Sequence, residues 1–148
     1  MGSALTASER LEIELACQRL GFAYLRALDQ GDANAAADCF SEQGTLARPM
    51  QPQQLIHGRE AIRASLQSRP KGLLTRHLAT NVVIEVESRD AASGLCLITM
   101  IGCTPADGAQ APHESGGPLY FGEFRDRFVR VAEEWKFLKR LGSIAVKY

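Results

Sequence analysis

Four residues could move or hold a proton or a charge if the fold brought them together: Tyr24, Asp29, His77 and Arg140. Histidine is the side chain whose ordinary pKa lets it accept a proton near neutrality. A neutral imidazole accepting on one nitrogen works best when its other nitrogen donates to a carboxylate. Asp29 is the candidate for that carboxylate, because it ends a helical pattern where the macrodipole disfavours negative charge and some other group must hold it. Together they would make a general base with an orienting partner. A plainer reading also stands: a turn aspartate paired to Arg26, and a core histidine bonded to backbone. Tyr24 lies on the apolar stripe of the same helix, so its ring points inward and its hydroxyl needs a partner, either as a core tyrosine or as a pocket donor. Arg140, on an otherwise packed strand, either aims a fixed cation into a cavity or snorkels to a rim carboxylate. His57, beside Gly58, and His113, in a flexible connection, are weaker candidates.

Parity along the strand places His77 with Ala79, Asn81 and Val83, opposite Leu78, Val82, Ile84 and Val86, unless a β-bulge changes the facing partway. Asn81 is thereby a candidate ligand contact. Parity near the C-terminus groups Lys136, Leu138 and Arg140 on one face and Trp135, Phe137, Lys139 and Leu141 on the other. Asp126 alternates with aromatics and arginines, a pattern of cross-strand salt pairs, and an inward Asp126 would supply a second acid. The chain has no G-x-S-x-G elbow, Walker loop or G-x-G-x-x-G turn, so serine-hydrolase, ATP and hydride chemistry lose their ordinary signals.

These residues need elements to position them. Ile13, Cys17, Leu20, Tyr24 and Leu28 recur at helical spacing and predict a helix from Ser8 to Asp29, capped by Thr6 or Ser8 after a flexible tail over 1–7. Gly31 and Asp32 predict a corner into a second helix, Ala33 to Phe40. Gly44 to Ala47 reads as a short strand, 48–54 as a proline-bearing loop, and Ala61 to Gln67 as a third helix. The period then changes, predicting strands Thr75–Glu87, Leu95–Cys103, Leu119–Val131 and Trp135–Val146. The fold class is α+β, helices first and an antiparallel sheet after, in one domain over 1–148. Leu95 to Ile101 is apolar on both parities and predicts a strand covered on both faces. Helices closing one side of a curved sheet leave a cone with a cavity suited to a small hydrophobic ligand. They cannot cover the outer face, which predicts a homo-oligomer, dimer or trimer, through the sheet.

The 148 residues are 45% apolar and 23% charged, with seventeen basic and seventeen acidic side chains. No polycationic surface exists to neutralise a phosphate backbone, and the apolar stretch Leu95–Met100 is far shorter than a membrane span, so neither nucleic acid nor membrane is an expected partner. Cys17, Cys39, Cys96 and Cys103 lack C-x-x-C spacing and read as reduced thiols of a cytoplasmic protein, with no metal and no cofactor implied. Met1-Gly2-Ser3-Ala4-Leu5-Thr6 formally fits a myristoylation pattern, but no basic cluster follows to supply a second anchoring signal.

Tyr24-x4-Asp29, Arg76-His77-x3-Asn81, Gly58-Arg59-Glu60-Ala61-Ile62 and the closing segments Phe124–Arg130 and Trp135–Arg140 together resemble the SnoaL-like branch of the NTF2-like superfamily over about Ser8 to Tyr148. That branch includes scytalone dehydratase and the lindane dehydrochlorinase. The resemblance implies a cone-shaped fold, His77 as general base, Asp29 as its orienting partner, Arg140 as stabiliser of a leaving group or anion, and Tyr24 as a donor to a carbonyl oxygen. Met100, Phe124, Asn81 and Asp126 are the expected substrate contacts. The implied activity is that of a cofactor-free lyase or isomerase, removing a proton from a small hydrophobic, cyclic substrate. Two departures stand out: Leu95–Cys103 carries no acid or second histidine, and no pocket lysine stands near Leu20. The superfamily also contains noncatalytic members such as the β subunits of ring-hydroxylating dioxygenases, which leaves a binding or assembly subunit as the alternative. A polyketide cyclase is the third reading, and it requires a larger cavity with an acid such as Asp126 inside it.

Overall fold

The computed structural model describes residues 4–148. The tail residues 1–3, and with them the start of the myristoylation pattern, lie outside the described residues. Helix α1 (Ala7–Asp29) begins on a reciprocal capping box in which Thr6 Oγ1 accepts from the Glu9 amide and Glu9 accepts from the Thr6 amide. Gly31, at φ 70°, turns the chain, and the Asp32 carboxylate caps α2 (Ala33–Asp38) by accepting from the Ala35 amide at 2.9 Å. The remaining elements are β1 (Phe40–Ala47), β2 (Leu55–His57), α3 (Arg59–Gln67), β3 (Leu74–Val86), β4 (Ala91–Cys103), β5 (Tyr120–Val131) and β6 (Glu134–Lys147).

The six strands form one sheet in the order β2-β1-β6-β5-β4-β3. The fold is α+β and cone-shaped, as expected, but two features correct the sequence reading. The sheet is mixed, because β1 runs parallel to β6, and a further short strand, β2, stands between the expected strand β1 and α3. Strand β1 also starts four residues earlier than Gly44, and β2 is an unanticipated strand of three residues, too short to show a period.

Two bulges set which side chains face the helices. In β3, Thr80 pairs with Leu97 and Val83 with Leu95, so Asn81 and Val82 together oppose Cys96. Asn81 takes a left-handed φ of 51° there. Thr75, His77 and Ala79 face inward before the bulge, and Val82, Ile84 and Val86 after it, which overturns the simple grouping of His77 with Asn81 and Val83. In β6, Arg127 pairs with Lys139 and Phe128 with Phe137, leaving Leu138 as the extra residue. Phe137 and Arg140 therefore share the inner face, although an uninterrupted alternation separates them.

Under the helices lies a core of Tyr24, Phe40, Leu46, Ile62, Phe124, Phe128 and Phe137. Each fully buried ring stabilises the fold by roughly 1.5–3 kcal/mol of transfer free energy. Gly142 admits close packing here, since a Cβ at this position would lie 2.6 Å from Pro49 and 2.8 Å from Phe124. Strand β4 is covered on one face only: Cys96 and Ile98 are buried, whereas Leu97 is 43% exposed. Helix α1 packs against β3 and β6, and the outer residues of β4 stand beside their neighbours on β3 and β5.

Candidate active site

The C-terminal end of α1 delivers Asp29 to the start of β3. Its Oδ1 accepts from the Thr75 hydroxyl at 2.9 Å and from His77 Nδ1 at 2.5 Å, while Oδ2 accepts from the His77 backbone amide at 3.0 Å. These bonds hold a carboxylate that the helix dipole alone would repel. Because a carboxylate only accepts, Nδ1 carries the proton and the neutral ring keeps Nε2 as its lone-pair nitrogen. The two side chains are 10% and 16% exposed. Burial holds the His77 imidazolium below the usual histidine range, against the opposing pull of Asp29 and with added repulsion from Arg69 and Arg140. The ring is thus neutral and able to accept a proton at pH 7.

His77 lines a chamber of about 100 Å³ together with Tyr24, Leu28, Leu66, Ile98, Met100, Phe124 and Ile144. The loop after β1 contributes Arg48, Pro49 and Met50, and the segment after α3 contributes Arg69. On its other side, the dyad borders an open groove of about 510 Å³ between α1 and β3.

Tyr24 is 2% exposed and stands edge-on to Phe40, Phe124 and Phe137, with ring centroids 5.7, 6.2 and 5.9 Å away. Burial pushes its phenol up to about 12, despite Arg140, Arg48 and Arg69 nearby, so it remains a proton donor at neutral pH. Arg140 is 1% exposed, its guanidinium carbon 4.0 Å from the Phe124 centroid, 4.4 Å from Phe137 and 4.8 Å from Tyr24. Its Nε lies 3.4 Å from Asp126 Oδ1, close enough for Coulombic attraction but not aligned as a hydrogen bond. Burial pushes Asp126 up to about 6, with Arg140 opposing.

The structure therefore brings Tyr24, His77, Met100 and Phe124 together around one chamber, with Asp29 bonded to His77 on the groove side. Arg140 sits behind the aromatic wall, neither in the chamber nor at the rim. Asp126 faces inward, yet it is turned to Arg140 and does not line the chamber. Asn81 is exposed on the bulge and lies outside it, correcting its expected place as a ligand contact. Three contributors were missed. Thr75 was legible as the residue two before His77 on the same strand face; Arg48 and Arg69 come from loops, where no period marks which way a side chain points. His57 bonds Thr45 at 3.1 Å, away from the chamber.

Among the described residues, no three His, Cys, Asp or Glu side chains are grouped to hold a metal ion. No helix there is long and apolar enough to cross a membrane.

The model of the SnoaL-like domain matches residues 9–141. No curated protein matches the sequence. Similar solved structures include a chain from Novosphingobium aromaticivorans provisionally named a scytalone dehydratase, with 22% identity, 97% of this chain and 91% of that one covered, and a TM-score of 0.81. A type 2 hexachlorocyclohexane dehydrochlorinase aligns with 19% identity, covering 97% and 92% of the two chains, at a TM-score of 0.77. A protein of unknown function from Mycobacterium tuberculosis aligns with 24% identity over 97% of this chain and 78% of that one, at 0.75. At these identities the likeness shows a shared fold.

Proposed function

Because the chain belongs to the SnoaL-like domain family, we propose that its chamber is the active site of a cofactor-free lyase or isomerase with His77 as the base. The observation that carries this reading is the Asp29–His77 contact at 2.5 Å on the wall of the chamber. In the proposed reaction, Nε2 takes a proton from a carbon beside a carbonyl or a leaving group of a small hydrophobic, cyclic substrate. The C–H electron pair forms the new double bond. In an elimination the leaving group departs with its own pair and receives the proton from His77; in an isomerisation His77 returns the proton to another carbon. Asp29 stabilises the transient imidazolium, and Tyr24 donates to the developing oxyanion. Arg140 acts through its field from behind Phe124. Such a base contributes about 10²- to 10⁴-fold to the rate, and an oxyanion donor a few kcal/mol more.

The test is a panel of cyclic ketones, alcohols and halides followed by the ultraviolet absorbance of conjugated products. His77→Ala should abolish turnover while the far-ultraviolet dichroism stays that of the wild type. Unchanged turnover of a substrate that the wild type processes removes the base assignment.

One observation favours the second reading, a noncatalytic ligand-binding or assembly subunit: about 100 Å³ is small beside the roughly 300–1,000 Å³ of common ligand sites. A polyketide-cyclase role has less support, since Asp126 is engaged by Arg140 and the chamber is small. We also place the protein in the cytoplasm, on its four free cysteines, and as a homo-oligomer through the outer sheet face.

A further inference from the structure

Two cations on the chamber wall have no role in proton abstraction. Arg48 and Arg69 line the same small space, whose other walls are mostly apolar. Neither makes an ion pair with any described residue. Arg69 Nη1 donates to the Leu28 carbonyl at 2.9 Å, which positions the guanidinium and leaves its remaining N–H groups for another acceptor. Arg69 is held below its ordinary pKa by burial, and the nearby like charge of Arg48 adds to the effect. Two guanidinium groups that repel each other in a partly desolvated chamber are costly without an anion between them.

The carboxylates nearby do not fill that place. Asp29 is occupied by Thr75 and His77, and Asp126 by Arg140. With Arg140 and Asp126 paired to each other behind the wall, Arg48 and Arg69 stand against the single carboxylate of Asp29, an excess of one positive charge. We propose that the chamber takes a small apolar carboxylic acid as its monoanion, with Arg48 and Arg69 binding the carboxylate and the apolar walls taking the rest of the molecule. A carboxylate suits the site because its two oxygens match the planar fork of a guanidinium, and its single charge matches the excess. The assignment rests on the chamber being the substrate site and narrows the class of substrate.

Titration calorimetry on the full chain tests it, with benzoate and crotonate as probes, benzamide and crotonamide as uncharged matches, and inorganic phosphate as a third. The acids should bind at least about tenfold tighter than their amides, and Arg48→Gln and Arg69→Gln should each lower acid affinity about tenfold, the scale of a charge-assisted hydrogen bond. Amide affinity should not move, and Arg69→Lys should recover part of the loss. Acids no tighter than amides, no binding of either acid, or glutamine variants that bind acid as well as the wild type would each overturn the proposal. Phosphate binding as tightly as the acids would mark a site for inorganic anions only and overturn the substrate class. His77→Ala should still bind the acids; if it also keeps full turnover, the base assignment fails while the arginine pair stands.

Discussion

The carboxylate of Asp29 is the hinge of the site because it meets both the side chain and the backbone of His77. Thr75 adds the third bond. Removing that hydroxyl should loosen the carboxylate without unpairing it, so Thr75→Val should cost about 1 kcal/mol of stability and lower kcat several-fold with KM nearly unchanged. Since burial depresses the His77 pKa, the acid limb of kcat/KM should have its midpoint below the ordinary histidine value of 6.5. In Thr75→Val the midpoint of that acid limb should shift, a response that loss of packing alone would not produce; steady-state rates from pH 4.5 to 8 read it. The same depression means that the stability from an unprotonated His77 is present above pH 6.5 and is lost as pH falls through the folded value. Asp126 has the opposite sign. Its folded value, about 6, lies above the ordinary 3.8, so its contribution is greatest at acid pH and is lost as pH rises through 6. Arg140→Met would strand that carboxylate in the core. The variant should lose about 3–5 kcal/mol at pH 7 and much less at pH 5, measured by urea denaturation at both.

Among the elements, the bulges do more than the regular stretches. Strand β3 must present Thr75, His77 and Ala79 to the chamber and then Val82 and Ile84 to the core, and a period of two cannot do both without an extra residue. Asn81 absorbs it at φ 51°, a conformation that asparagine tolerates and β-branched residues do not. Asn81→Val should therefore lower stability by about 1–2 kcal/mol, while Asn81→Gly should be near neutral; thermal melts of the two variants give the comparison. The extra Leu138 in β6 plays the same part for Phe137 and Arg140. Alternation along a sequence does not reveal a bulge, which is why strict parity puts Asn81 on the face of His77 and separates Phe137 from Arg140, whereas the structure does neither.

For the molecule as a whole, the unpartnered side is the outer face of the sheet. Leu78, Thr99, Phe121 and Val146 lie in one cross-strand row, and Val83, Leu95, Arg125 and Leu141 in another. Of these, Leu78, Val83 and Val146 are 54%, 55% and 58% exposed. An apolar face spread across four strands is a surface that a second copy would cover. Size-exclusion chromatography with light scattering should find a dimer or trimer in the wild type and a monomer in Leu97→Lys; a monomeric wild type at micromolar concentration would refute the assembly.

The order of the main elements and the α+β class were legible because they rest on local signals: helical spacing up to Asp29, the glycine and aspartate of the corner, and the change of period before His77; the same signals made Asp29 and His77 candidates, and the family resemblance implied their pairing. Those signals are properties of a short stretch of chain and survive whatever it packs against. Three things were decided only by tertiary structure. The parallel seam between β1 and β6 joins segments about ninety-five residues apart, the bulges trade local alternation for inward packing, and the loops carrying Arg48 and Arg69 take their direction from the walls they close. Each depends on contacts between distant parts of the chain, and pairing energies of that kind leave no periodic trace in the order of residues.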